Sequence, residues 1–129
     1  VGVFRNGQRE LHAVGMANLE TEQPVRPDTL FQIGSISKVF CATLVMTLVD
    51  EGKVDLDAPV SRYLPELKLA DADTLRSLSI RQTLSHTSGI YGDYFEDTGW
   101  GDDALAKSIE QVVDLHQWTP VGSSWAYCN

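Results

Sequence analysis

The sequence predicts an α/β fold in which strands come first, a buried helix follows, and an α-rich half completes the chain. Two observations lead to this prediction. The pair Asn6-Gly7 follows an apolar segment and precedes a second one, which is a strong short-range signal for a β-hairpin. Residues 35–51 are apolar around nearly the whole circumference of a helix and are followed by Gly52, a common helix terminator.

Residues 1–5 are predicted as the first strand of the hairpin and residues 11–17 as its return strand. The first strand is apolar on both faces, a pattern typical of a strand in a covered sheet. No third strand is predicted, because residues 18–33 are polar and contain two prolines, which indicates a loop. Since a two-stranded sheet is marginal in water, we expect its partner strands to come from sequence beyond these residues or from another chain.

The helix over residues 35–51 is apolar on every face, and such a helix is normally interior. The second half of the chain is predicted to be helical, each helix starting at a cap or a proline. These helices are residues 57–64, a short helix opened by the capping-box pattern Ser-Ile-Arg-Gln at 79–82, and a helix from Asp102 to about His116. Residues 89–101 and 119–129 are predicted as loops.

The composition excludes several classes of function. A formal charge of −8 argues against nucleic acid and against an anionic membrane surface, and no apolar run is long enough to span a membrane. Three scattered histidines and two distant cysteines match neither a metal-site spacing nor a disulfide framework, so no metal or cofactor is predicted. The chain has no initiator Met and no signal-peptide pattern, and we expect it to be a piece of a longer protein.

The main chemical signal is Ser35-Ile36-Ser37-Lys38, the only S-x-x-K in the sequence. Residues three apart on a helix share a face, so the amine of Lys38 would lie beside the hydroxyl of Ser35. A serine hydroxyl needs a neighbouring base to act as a nucleophile, and burial favours the neutral form of a lysine. The alternative is an ordinary helix start with a surface lysine, but burying Lys38 in so apolar a helix without a purpose would be costly.

A second signal is Tyr127-Cys128-Asn129, which follows a loop containing Pro120 and Trp125. A tyrosine phenol can relay a proton to a leaving group, and an asparagine amide can orient the amide of a substrate. By itself the tripeptide is more typical of surface residues in a loop.

Together these motifs resemble, in order along the chain, those of class C β-lactamases and their relatives. The relatives include penicillin-binding proteins, D-alanyl-D-alanine carboxypeptidases and β-lactamase-like esterases. The sequence Phe-Gln-Ile-Gly-Ser-Ile-Ser-Lys at 31–38 resembles the nucleophile box of that family. The other similar segments are Glu-Gly-Lys-Val-Asp-Leu-Asp-Ala-Pro-Val at 51–60, Leu-Ser-His-Thr-Ser-Gly at 84–89, and residues 120–129, which resemble a P-x-G-x-x-W-x-Y-S-N box.

The resemblance implies a β-lactamase/transpeptidase-like α/β (α+β) fold, of which this chain would be an N-terminal fragment forming a single incomplete domain. Its parts would be residues 1–34 as sheet hairpin and loop, 35–52 as nucleophile helix, and 53–129 as part of the helical subdomain. The resemblance also implies the roles of four residues. Ser35 would be the acylated nucleophile and Lys38 its base partner, while Tyr127 would be a second general acid/base and Asn129 a ligand of the substrate amide.

The implied function is that of a serine hydrolase, which forms an acyl-enzyme with β-lactam, D-Ala-D-Ala peptide or ester carbonyls. Two departures from the family pattern bear on it: Cys128 stands where Ser is usual, and the Lys/His-x-Gly box has no counterpart in this sequence. We therefore expect the fragment itself to be inactive. A penicillin-binding sensor and a non-catalytic homologue are alternatives. The partner would be a small-molecule or peptide substrate, and the resemblance favours a periplasmic or secreted location.

The histidines are predicted to have structural rather than catalytic roles. His86 lies in the Leu-Ser-His-Thr-Ser-Gly stretch, where the resemblance implies that it holds a loop by hydrogen bonds. His12 and His116 are predicted to be structural or solvated. The segment Gly-Ser-Ser-Trp-Ala at 122–126 faintly resembles a nucleophile elbow but lacks the preceding strand and following helix that such an elbow requires.

Overall fold

The computed structural model describes all 129 residues and contains both strands and helices, as the sequence predicts. The chain divides into two compact units, Val1–Lys38 and Val39–Asn129, which are described in turn. Four strands lie in the first unit, together with the start of the main helix, whereas the rest of that helix and all other helices lie in the second. That the chain forms one incomplete domain stays a prediction.

A β-hairpin opens the first unit, formed by strands β1 (Gly2–Arg5) and β2 (Gln8–Leu11). Between them, Asn6 and Gly7 have φ angles of 52° and 78°, the left-handed values that a two-residue type I′ turn requires. The predicted turn is therefore confirmed, but the return strand predicted at residues 11–17 is wrong. A two-residue turn brings the very next residue into register, so the strand begins at Gln8 although residues 8–10 are polar.

A second small antiparallel sheet is formed by β3 (Met16–Asn18) and β4 (Gln23–Pro24). Its presence corrects the prediction that residues 18–33 contain only loop. Pro24 is compatible with a strand here because the strand is an edge of a two-stranded sheet, where a missing N–H need not break a ladder. All residues of the four strands are exposed, so the cover expected over β1 is not provided by this structure.

The main helix begins with a 3₁₀ turn, Gly34–Ile36, and continues as α1 (Ser37–Asp50). Its predicted limits, residues 35–51, are therefore close to the observed ones. Gly52 has a φ of +69°, and the N–H of the next residue, Lys53, donates to the carbonyl of Leu48 at 2.9 Å. Glycine adopts this left-handed conformation without strain and so ends the helix as predicted.

The prediction that this helix is interior is wrong for the chain as it stands. One stripe of α1 is half-buried, whereas Val39, Phe40 and Leu44 are 64%, 67% and 63% exposed. The half-buried stripe is formed by Ala42, Val45, Leu48 and Val49. A helix that is apolar all round needs packing partners on every side, but these 129 residues cover only one side of α1.

The core of the second unit joins two segments that are distant in sequence, residues 56–60 and 78–81. The N–H of Val60 donates to the carbonyl of Leu78 at 2.9 Å, and the N–H of Ile80 donates to the carbonyl of Ala58 at 3.2 Å. Ala58, Val60 and Leu78 are the buried apolar side chains, each less than a tenth exposed. The two segments therefore form the most protected part of the chain.

An ion pair connects the same two segments at the surface. Nε and an Nη of Arg81 donate to the two carboxylate oxygens of Asp57 at 2.7 and 2.9 Å. These hydrogen bonds from Arg81 lower the pKa of Asp57, and the bonds to Asp57 in turn raise the pKa of Arg81. Because both side chains are exposed, solvent screens the pair and its contribution to stability is modest.

The remaining helices are short. The capping box is confirmed at α3 (Ile80–Leu84), where Ser79 and Gln82 each accept a hydrogen bond from the backbone N–H of the other. The helix predicted over residues 57–64 is only a 3₁₀ turn, Val60–Arg62. The N–H of Val60 and the carbonyl of Ala58 bond to residues 78–81 instead of within a helix. No helix of the structure has the length and apolar character needed to cross a membrane.

Two further helices differ from the prediction. α4 (Ala104–Gln111) and a 3₁₀ turn, Val112–Asp114, replace the single helix expected from Asp102 to His116. α2 (Ala72–Ser77) is not predicted at all, because its sequence has no apolar periodicity. Only its N-terminal cap marks it in the sequence: the side chain of Asp71 accepts hydrogen bonds from Thr74 Oγ1 and from Asp73 N–H at 2.9 Å each. The bond from Thr74, and then the bond from Asp73, lower the pKa of Asp71.

Candidate active site

Ser35 lies in the 3₁₀ turn that opens the main helix, and Lys38 is the second residue of α1. Gly34, immediately before Ser35, has a φ of +53°, so the chain enters the turn through a left-handed residue that favours glycine. The N–H of Ile36 donates to the carbonyl of Ile33 at 3.2 Å, which closes the turn. Ser35 and Lys38 are three residues apart in consecutive helical turns, so the backbone directs both toward the same side of the helix.

The side chain of Lys38 is half-buried, although both of its neighbours, Ser37 and Val39, are exposed. Ser35 itself is exposed. Apolar side chains surround the motif in sequence, among them Phe31, Ile33, Ile36 and Phe40. The local arrangement is therefore an exposed serine followed, one turn later, by a half-buried lysine. That the two act together in catalysis stays a prediction.

The electrostatics of the helix end favour negative charge at Ser35. The first turn of α1 contains no acidic residue, so no side chain within that turn neutralises the positive end of the helix dipole. A tetrahedral oxyanion formed at Ser35 would lie in this field. Such stabilisation of developing charge is often the largest contribution to catalysis.

Tyr127 and Asn129 lie in the C-terminal segment, residues 119–129, which has neither helix nor strand, as predicted. Backbone hydrogen bonds hold this segment against the turn at residues 86–92. Ala126 N–H donates to the carbonyl of His86 at 3.0 Å, and Asn129 N–H donates to the carbonyl of Gly92 at 2.9 Å. The tyrosine ring stacks on the imidazole of His86, with ring centroids 4.6 Å apart and an interplanar angle of 26°.

Two glycines allow the two segments to approach so closely. A Cβ on Gly92 would lie 2.4 Å from the Cα of Cys128, and a Cβ on Gly89 would lie 2.1 Å from the carbonyl oxygen of Thr119. Real Cβ atoms do not come this close to backbone atoms. Between these glycines, the N–H groups of Trp118 and Tyr91 donate across the two segments at 2.8 and 2.9 Å. Residues 86–92 and 116–129 thus form one hydrogen-bonded layer.

The four candidate residues therefore fall into two pairs. Ser35 and Lys38 belong to the first unit, and the helical backbone brings them to one face. Tyr127 and Asn129 belong to the second unit and lie two residues apart in the C-terminal segment, which hydrogen bonds hold against residues 86–92. That the two pairs form one catalytic centre stays a prediction.

Sequence reasoning assigns a structural role to His86, and the structure shows what it holds. Nδ1 of His86 accepts a hydrogen bond from the backbone N–H of Cys128 at 3.1 Å across 42 residues of sequence. The roles of Gly92 and Gln117 are not predicted, although Gln117 Nε2 donates to the carbonyls of Ser88 and Thr119 at 2.9 and 2.6 Å. The Leu-Ser-His-Thr-Ser-Gly stretch marks only the first of these two segments.

Neither cysteine is part of a disulfide. Cys41 is exposed on α1 and Cys128 is half-buried, and both are free thiols. No three His, Cys, Asp or Glu residues lie close enough together to hold a metal ion.

Comparison with known proteins yields one family over the whole chain. The family model described as Beta-lactamase matches residues 1–129. Penicillin-binding protein 4 of Amycolatopsis lactamdurans is 43% identical over 129 residues, covering 100% of this chain and 34% of the relative. Esterase EstB of Burkholderia gladioli is 40% identical over 104 residues, covering 80% of this chain and 26% of the relative.

Solved structures agree with the sequence comparison. A class C β-lactamase crystal structure superposes with a TM-score of 0.76 and 28% identity, covering 98% of this chain and 34% of that one. The predicted fold class and family resemblance are thereby confirmed. The chain spans about a quarter to a third of the length of the relatives it matches.

Proposed function

Because this chain belongs to the β-lactamase family, we propose that the protein is a serine hydrolase that works through an acyl-enzyme on Ser35. The observation that carries this proposal is the position of Ser35 in the turn that opens the main helix, with the half-buried Lys38 one turn further on. A hydroxyl and an amine in this arrangement are suited to acyl transfer, in which the nucleophile needs a base within reach.

In the proposed reaction, Ser35 Oγ attacks the substrate carbonyl and forms a new C–O bond while its proton passes to Lys38. The carbonyl oxygen becomes an oxyanion near the N-terminus of α1, with the Ser35 N–H as one donor. Tyr127 delivers a proton to the leaving group as the bond to it breaks, and Asn129 orients the substrate amide. The proton held by Lys38 then passes to Tyr127, which resets both groups. Water adds its oxygen to the acyl carbon and gives a proton to Ser35 Oγ as the ester bond breaks, so Ser35 recovers its hydroxyl and the acid product leaves.

The substrate is proposed to be a β-lactam, a D-Ala-D-Ala peptide or an ester. The similar proteins named above are a penicillin-binding protein, an esterase and a class C β-lactamase. All three names are compatible with attack of a serine on a carbonyl carbon. The net acidic charge makes an anionic polymer such as nucleic acid an unsuitable substrate.

The 129-residue chain by itself is proposed to be inactive. It spans only about a quarter to a third of its relatives, its two sheets have two strands each, and α1 is exposed along most of its surface. Large exposed apolar surface on a protein normally marks a face that another part or partner covers. Ester hydrolysis by this chain, lost on Ser35→Ala substitution, would contradict this proposal.

The direct test is to incubate the full-length protein with a fluorescent penicillin and locate the label. We expect a covalent adduct on Ser35 that Ser35→Ala abolishes and Ser37→Ala, two residues away, leaves intact. Lys38→Ala should slow acylation by about 10²–10⁴-fold, the usual contribution of a general base. Lys53→Ala is the matched control, since Lys53 is exposed and paired with Glu51. Labelling that survives Ser35→Ala would rule out the assignment.

The same experiment separates turnover from binding. Rapid loss of the label indicates a hydrolase, whereas a stable adduct indicates a penicillin-binding sensor. The latter is a real alternative because a relative named as a penicillin-binding protein matches the chain from end to end. A protein that takes up no label from penicillins or activated esters would be a non-catalytic homologue.

A further inference from the structure

His86 is held in a strained backbone conformation. Its φ is +59°, in the left-handed region that residues other than glycine seldom occupy. Such strain persists only when surrounding contacts enforce it, and it is concentrated at functional sites. At His86 the enforcing contacts are of two kinds. The end of α3 supplies one, since the N–H of Thr87 donates to the carbonyl of Gln82 at 3.0 Å, and the segment that carries Tyr127 supplies the others.

Three contacts join His86 to residues 126–128. The carbonyl of His86 accepts the N–H of Ala126 at 3.0 Å, and its Nδ1 accepts the N–H of Cys128 at 3.1 Å. The residues on both sides of Tyr127 are therefore bonded to one and the same histidine. The ring of Tyr127 lies against the imidazole face between these two bonds.

The opposite side of the segment is closed by Gly92. Its carbonyl accepts the N–H of Asn129 at 2.9 Å, and the backbone of Cys128 passes so close that no side chain fits at position 92. Hydrogen bonds to His86 and to Gly92 thus hold residues 126–129 in place. Tyr127 as a whole is nevertheless 46% exposed, although its backbone is fixed on both sides.

We propose that His86 is a positioning residue for Tyr127, and that it acts as a neutral imidazole carrying its proton on Nε2. Because a backbone N–H can only donate, Nδ1 of His86 has to be the unprotonated nitrogen. The ring then fixes the direction in which the phenol points by stacking, and the two hydrogen bonds fix the backbone from which the phenol projects. This inference rests on the proposed function, since it assumes that Tyr127 transfers a proton.

Two substitutions at His86 distinguish the effect of the hydrogen bond to Cys128 from the effect of a side chain that only fills the space. In His86→Asn the side-chain oxygen has the same reach as Nδ1 and can accept the Cys128 N–H, and asparagine tolerates a positive φ. In His86→Leu a methyl group takes the place of the acceptor. His116→Asn is the matched control, because the side chain of His116 is exposed.

Acylation of the full-length protein by a fluorescent penicillin is the readout. His86→Leu should lower the rate constant of acylation on the order of 10²-fold with little change in the apparent affinity for the penicillin, as expected when a reacting group is displaced by about 1 Å. His86→Asn should recover the part of that loss that comes from the hydrogen bond to the Cys128 N–H, so it should be acylated faster than His86→Leu. A purely structural role would instead lower the thermal stability and the activity together in both variants, and that result would overturn the inference.

A double-mutant cycle gives the sharpest test. In a Tyr127→Phe background the phenol is already absent, so His86→Leu should cause no further loss of acylation. Equal losses in the two backgrounds would overturn the positioning role while leaving the proposed function intact. The proposed function fails separately, if the wild-type protein is not labelled on Ser35.

The protonation state can be measured without any substitution. Nitrogen NMR of the wild-type full-length protein should show His86 with an unprotonated Nδ1 and a protonated Nε2 at neutral pH. The opposite tautomer would overturn the inference. Because this measurement uses the wild-type protein, it tests the inference even if His86→Leu fails to fold.

Discussion

Replacing Gly92 with alanine should slow acylation much more than it destabilises the protein. The added Cβ would lie 2.4 Å from the Cα of Cys128 and 2.8 Å from the carbonyl oxygen of Tyr127, whereas ordinary contacts begin at 3.4 Å. One of the two chain segments therefore has to move by about 1 Å. Since the atoms in conflict belong to the backbone on the Tyr127 side, no rotation of a side chain can relieve it.

The size of the effect follows from this displacement. Overpacking of this kind typically destabilises a protein by about 1–3 kcal/mol. A 1 Å error in the position of a reacting group can reduce the rate on the order of 10²-fold. The hydrogen bond from Asn129 N–H to the Gly92 carbonyl would be disturbed as well, so the proposed proton donor and the proposed substrate ligand shift together.

Stopped-flow acylation of the full-length protein by a fluorescent penicillin measures this effect, with thermal melting in parallel. Gly101→Ala is the control, because its Cβ would meet only the carboxylate of Asp103 at 2.7 Å, a flexible side chain that can turn away. Acylation of the Gly92→Ala protein at the wild-type rate would contradict this prediction. So would equal losses in the Gly92 and Gly101 variants.

Two further predictions concern the stability of the second unit. Leu78→Ala should lower the free energy of unfolding of the 129-residue chain by about 2–5 kcal/mol, because Leu78 is 5% exposed. Leu105→Ala, at a 75% exposed position of the same chain, should change it little. Urea denaturation of the 129-residue chain measures both, and equal effects would contradict the assignment of the core. Asp57→Asn should remove a stabilisation that depends on pH. The bonds from Arg81 lower the pKa of Asp57 in the folded state, so the ion pair stabilises the fold fully above the pKa of an unfolded Asp, near ~3.9. This stabilisation is lost as the pH falls below that value. Thermal melting from pH 7 down to pH 3 should therefore show a smaller decline for Asp57→Asn than for the wild type, and identical pH profiles would show that the ion pair contributes nothing.

Features that depend on a few neighbouring residues are predicted well. The type I′ turn follows from Asn6-Gly7 alone, and the capping box at Ser79 follows from two side chains that bond to nearby N–H groups. The strand after the turn is misplaced because apolar content is used to locate it. In an exposed two-stranded sheet the pairing depends on backbone hydrogen bonds and turn length, so the polar residues 8–10 serve equally well.

The candidate site divides in the same way. Ser35 and Lys38 lie three residues apart in one helical turn, so their shared face follows from helix geometry and can be read from the sequence. The contacts that hold Tyr127 in place cannot be read from the sequence. They depend on a hydrogen bond between residues 42 positions apart and on a glycine at position 92. Only the folded chain shows that His86 holds both neighbours of Tyr127.

The amino-acid sequence by itself determines the turns, the caps, the helix that starts near Ser35 and the order of motifs that identifies the family. These features arise from φ preferences and from bonds that span two to four residues. The tertiary structure alone decides which distant segments touch, including the approach of residues 86–92 to residues 116–129. Such contacts depend on closing long stretches of chain and on packing around them, and no local preference specifies either.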